Sequence, residues 1–115
     1  MISIISYTAE AVLFEFHQHL TDNEGLCSKT VGGHISDLCD FIHWYESWGE
    51  DAFRPANIAT TTITSYQSQL QESLAPASVN RQISTLKRYF AFAVSAGQIA
   101  SDPSIPVNVL HEVSS

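Results

Sequence analysis

The sequence predicts an all-α protein, a compact bundle of four helices around one core. Three observations point that way. Apolar residues recur at spacings of three and four in four separate stretches. Short clusters of Gly, Pro, Asn, Asp and Ser divide those stretches. No alternating run is long enough to build a sheet.

Composition narrows the class further. A chain of 115 residues, 44% hydrophobic and 15% charged, suits one globular domain with a core of its own. Cys27 and Cys39 are too few for a disulfide framework, so a reducing, cytoplasmic setting is the default. No apolar run approaches the roughly 20 residues of a spanning helix. Met1–Ser6 carries no Lys or Arg and does not read as a signal peptide. No membrane partner is expected.

The first helix is expected over about Tyr7–Leu20, with Thr8 as its N-cap and Val12, Phe16 and Leu20 at helical spacing. Asp22-Asn23-Glu24-Gly25 is turn chemistry. A second helix runs from an N-cap at Ser28 to Gly49, with Val31, Ile35, Leu38, Ile42 and Tyr45 as its core stripe. Gly32-Gly33 in its first turns costs about 1 kcal/mol per residue against alanine. Its start therefore frays, or something approaches the backbone there. Residues 50–58 form a loop. A third helix follows over about Thr62–Glu72 on the stripe Ile63, Tyr66 and Leu70. After the connector Ser73–Pro76, Ser78 caps a fourth helix, Val79 to about Ala96, which Gly97 closes. Its stripe is Val79, Ile83, Leu86 and Phe90. Pro103 and Pro106 then stop any helix, giving a helical domain over 1–100 and a proline-containing linker over 101–115.

A net charge of −7 argues at face value against nucleic acid, but the charge is unevenly spread. Residues 1–53 hold nine acids and one base, Lys29; residues 54–115 hold three acids and four bases. Between Ser73 and Ser101 there are three bases and no acid. On the fourth helix Arg81, Ser84, Thr85 and Arg88 fall opposite the core stripe, and Asn80 and Lys87 flank one edge. Arginine, lysine, short hydroxyls and an amide are the donors that bind phosphate oxygens and base edges. A solvated helix face accounts for the same residues.

Motif order supplies a resemblance. The chain carries Ser28-Lys29-Thr30, Asp37-Leu38, Phe41 and Trp44, then Tyr66 and Leu70. Next comes the block from Leu74-Ala75-Pro76-Ala77-Ser78 through Asn80-Arg81, Ser84-Thr85-Leu86-Lys87-Arg88 and Tyr89-Phe90, and finally Asp102-Pro103. Over roughly residues 8–104 this resembles the N-terminal core-binding, SAM-like domain of the tyrosine recombinases, or phage integrases. The resemblance implies four orthogonally packed helices, the second and fourth facing the recombination-site duplex. It implies DNA contact by Lys29, Thr30, Asn80, Arg81, Ser84, Thr85, Lys87 and Arg88. The implied role is clamping duplex DNA for integration or recombination, beside other recombinase protomers. The chemistry would sit in a separate C-terminal Arg/His/Tyr domain. This chain ends where that domain would begin, so it is expected to bind and not to cleave.

One departure bears on that role. The second helix carries Gly32, Gly33, His34 and Ser36, then Asp37 and Asp40, where the family has basic residues. Backbone N–H groups at Gly32 and Gly33 remain available for a phosphate. Two alternatives follow: a helical protein-interaction domain, suited by the acidic half and by Trp44 and Trp48, or a degenerate integrase homologue with little DNA affinity.

Other constellations carry less. Cys27, His34, Cys39 and His43 cluster without a paired Cys-x-x-Cys knuckle, and Cys39 borders the apolar stripe, so it reads as a small core residue and no metal is expected. No nucleophile elbow or glycine-rich phosphate loop is present. No catalytic residue, cofactor or small-molecule substrate is expected.

Overall fold

A computed structural model describes residues 7–49 and 51–110. Four α-helices account for most of them: α1 (Tyr7–Gln18), α2 (Ser28–Trp48), α3 (Thr60–Gln71) and α4 (Pro76–Ser95). No strand occurs among the described residues. The chain divides into two compact units, Met1–Asn57 and Ile58–Ser115.

In the first unit α1 and α2 bury most of the residues that their spacing selects, with Ile35 and Tyr45 of the expected stripe only half-buried. Ala9, Val12, Phe16 and Leu20 are buried, as are Val31, Leu38, Phe41 and Ile42. The start of α1 differs from expectation: its range begins at Tyr7, so Thr8 lies within the helix. Beyond Gln18 the chain makes a π-helical turn, His19–Asn23, closed by Glu24 N–H donating to the His19 carbonyl at 3.1 Å. Gly25, at φ +66°, then reverses it. Cys27, not Ser28, is the N-cap of α2. Gly49 ends α2 in an extended conformation, φ −117° and ψ 179°, so the expected left-handed cap is absent. The loop after α2 contributes Phe53 to the core. Its ring stands edge-on to Phe41 and Tyr45, each at 6.0 Å between centroids. Its N–H donates to Glu46 Oε2 at 2.6 Å.

The second unit is built on α3 and α4. Ile63 and Tyr66 from α3 and Val79, Ile83, Leu86, Tyr89, Phe90 and Ala93 from α4 are buried. Tyr66 keeps its hydroxyl in that core by donating to Gln82 Oε1 at 2.9 Å. Both helices start earlier than the sequence suggests. Ala59 is the N-cap of α3, and its N–H donates to Thr62 Oγ1 at 3.4 Å. Pro76, expected in a connector, is the first residue of α4. Its missing N–H is no loss there, because the first helical N–H groups have no intrahelical partner. Gly97 closes α4 as expected, at φ +77°. Gln98 N–H donates to the Ala93 carbonyl at 2.9 Å and Gly97 N–H to Val94 at 3.0 Å, the paired bonds of a Schellman turn.

Residues 101–110 run on without helix, yet Ser104 and Val107 are buried. Asp102 Oδ1 accepts from Ser104 N–H at 2.7 Å and from its hydroxyl at 2.5 Å, which shapes the turn.

Candidate nucleic-acid interface

The α4 helix presents two different long sides. At about 100° per residue, Arg81, Ser84 and Arg88 share one face with Ala77, Ala91 and Ser95. All six are exposed. The two arginines lie two turns apart on this face, among short side chains. No acid lies on this helix. This is the face the sequence proposed for phosphates.

Three of the proposed residues sit elsewhere. Thr85 was expected opposite the core and is 0% exposed. The buried arc of α4 is wider than its apolar stripe, taking in Asn80, Gln82 and Thr85 as well. Thr85 is therefore a core residue, out of reach of DNA. Asn80 is 8% exposed, and its amide exchanges two hydrogen bonds with the main chain of Leu110. Lys87 is half-buried, with Nζ donating to the Ser104 carbonyl at 2.6 Å. Asn80 and Lys87 are thus engaged with the chain's own exit segment.

On α2, Lys29 and Thr30 are exposed in the first turn. The Thr30 hydroxyl lies 3.3 Å from Cys27 Sγ. That hydrogen bond, with further help from the Thr30 and Lys29 backbone, holds the exposed Cys27 thiol below its ordinary pKa. Cys39 moves the other way: burial raises its pKa, and the neighbouring Asp40 charge adds to the rise. Gly32 and Gly33 are exposed helical residues, and among the described residues nothing lies within 4 Å of where a side chain would stand. The exposed side of α2 continues through Ser36, Asp40, His43 and Ser47. Among the described residues, no group of three or more His, Cys, Asp or Glu side chains is placed to hold a metal ion. No helix among them is long and apolar enough to cross a membrane.

Sequence reasoning missed Phe53, Gln67 and the role of Ser104. Phe53 is a lone aromatic in a turn-rich loop, which carries no periodic signal. The other two act through contacts with residues far along the chain.

Residues 13–97 match the family model for the phage integrase N-terminal SAM-like domain. The tyrosine recombinase XerD of Lacticaseibacillus casei is 28% identical over 97 residues, covering 84% of this chain and 32% of that protein. The tyrosine recombinase XerC of Roseiflexus sp. is 27% identical over 90 residues, covering 77% of this chain and 28% of the relative. XerD of Rickettsia prowazekii is 27% identical over 96 residues, covering 83% and 30% respectively. The chain thus spans about a third of the length of the curated relatives it matches. No solved structure matches it. With the family match spanning most of the chain and reaching all four helices, this protein belongs to the phage integrase N-terminal SAM-like domain family.

Proposed function

We propose that this chain is a DNA-gripping domain of a tyrosine recombinase, holding duplex DNA beside other recombinase protomers during site-specific recombination or integration. The Arg81–Ser84–Arg88 face of α4, acid-free and exposed, carries this reading. Lys29 and the N–H groups at the start of α2 add a second, weaker phosphate contact. In this role the domain positions DNA and does no chemistry itself. Bond breaking belongs to a separate part of the recombinase, and the reaction takes place in the cytoplasm.

Affinity is expected to be low and only modestly salt-dependent. About 0.9 of a counterion is released per phosphate contacted on B-DNA, and the exposed cations are few. Fluorescence anisotropy against cognate and scrambled duplexes, across a salt series, is the direct test. Replacing Arg81 and Arg88 together by Ala should flatten the log–log slope by about 2 while moving stability by no more than about ±0.5 kcal/mol. A loss confined to the cognate duplex marks a base contact, and an equal loss on both marks phosphate contacts. Glu10→Gln, an exposed acid on α1, is the control and should not weaken binding. If the folded double variant binds like the parent, the face does not grip DNA. The protein-interaction reading then leads, supported by Trp48 at 73% and Phe14 at 63% exposure.

A further inference from the structure

Four side chains of the second unit each donate to a main-chain carbonyl of residues 103–110. Thr60 Oγ1 donates to Pro103 at 2.7 Å, and Gln67 Nε2 to Asn108 at 2.8 Å. Lys87 Nζ donates to Ser104 at 2.6 Å, and Asn80 Nδ2 to Leu110 at 2.9 Å. Asn80 Oδ1 also accepts from Leu110 N–H at 2.7 Å.

The spacing is regular. Thr60 and Gln67 on α3, and Asn80 and Lys87 on α4, are each seven residues apart, so each pair lies on one helix side about 10.5 Å long. Along α3 the held carbonyls ascend with the helix, and along α4 they descend. The segment therefore runs parallel to α3 and antiparallel to α4, between two rows of donors. Val107 and Ser104 face inward at 2% and 1% exposure. Ile105 and Val109 face out. Donors aimed at carbonyls read a main chain, as a site for an extended peptide does.

We propose that α3 and α4 form a main-chain-reading groove filled by the chain's own residues 103–110. These residues are a docked strap and not a free tether. Asn80 is the positioning residue that fixes where the chain leaves the domain, and Val107 is the apolar anchor. The paired bonds to Leu110 keep the Asn80 amide satisfied where water is excluded, since a buried amide left without partners is costly. This assignment is independent of whether Arg81 and Arg88 bind DNA.

Amide hydrogen exchange followed by NMR on the full chain tests it. Leu110 N–H, in a segment without helix or strand, should exchange far more slowly than an unstructured amide. In Asn80→Ala that protection should vanish while the amides of Leu86 and Phe90 in α4 stay protected. Val107→Asp attacks the groove from the strap side, outside both helices, and should likewise free Leu110. Asn80→Asp keeps the acceptor and should retain part of the protection. Free exchange of Leu110 in the parent chain would overturn the proposal. So would unchanged protection in Val107→Asp, or in a folded Asn80→Ala. A general loss of protection in Asn80→Ala hands the decision to Val107→Asp.

Discussion

α2 and α4 are nearly equal in length, 21 and 20 residues, and both bury one apolar side in a compact unit. Their outer sides differ. That of α4 offers two arginines, small residues around them and no acid. That of α2 offers Lys29, a bare Gly-Gly backbone, then Asp40 and His43. The same scaffold element thus carries a face suited to anions in one case and a nearly neutral face in the other. On the proposed reading α4 carries the main phosphate contact, and α2 adds only the weaker one at its first turn, around Lys29.

The largest effect belongs to the buried sides, which are equivalent. Leu86 and Leu38 are both fully buried, and Leu→Ala at either should cost about 2–5 kcal/mol in urea denaturation. An unmoved midpoint for Leu86→Ala would mean that α4 is rotated, and the outward placement of Arg81 and Arg88 would fall with it.

A smaller effect sharpens the α2 side. Gly32→Ala and Gly33→Ala should each stabilise the protein by about 0.4–1 kcal/mol, since both residues are helical, exposed and clear of clashes. If α4 alone meets DNA, neither change alters affinity. A variant that is more stable yet binds DNA less tightly would show that the duplex approaches the α2 backbone, and would narrow the contrast between the helices.

The smallest effect lies within α2 and at its cap. Thiol labelling with a disulfide reagent should modify Cys27 before Cys39, and the Cys27 rate should begin to climb at a lower pH. The Thr30 hydrogen bond favours the Cys27 thiolate, while burial and Asp40 disfavour that of Cys39. Thr30→Val should move the Cys27 profile toward higher pH. Faster labelling of Cys39 would show that the start of α2 is not organised as described.

The helices were legible because burial follows a period of 3.6 residues, and Val31, Leu38, Ile42, Ile83, Leu86 and Phe90 all obey it. Gly97 was legible because a left-handed helix end selects glycine. Pro76 was misread as a connector because proline both ends helices and begins them, and only its neighbours decide which. Thr85 was placed outside because a polar residue beside an apolar stripe gives no sign of how wide the buried arc is. Asn80 and Lys87 looked like part of the basic face because their partners lie 30 and 17 residues away in sequence. Glu46 likewise read as one more acid of an acidic half, although it holds the Phe53 backbone. Arg81, Ser84 and Arg88 kept their predicted exposure because a stripe fixes its own opposite.

The left-handed turn at Gly97 sets the effective concentration of the strap at its groove. Only residues 98–102 separate that turn from the first held carbonyl, at Pro103. The entropy of closing a loop grows as the logarithm of its length, about 0.6 kcal/mol per doubling, so this one closes near the low end of the scale. A residue with a Cβ at position 97 meets a penalty of about 1–2 kcal/mol in the left-handed conformation and favours a wider path. A Cβ at Gly97 would meet nothing within 4 Å among the described residues, so its penalty comes from the backbone alone. Replacing Gly97 would nonetheless weaken docking at Leu110, more than a dozen residues away, by diluting the strap and leaving its hydrogen bonds intact.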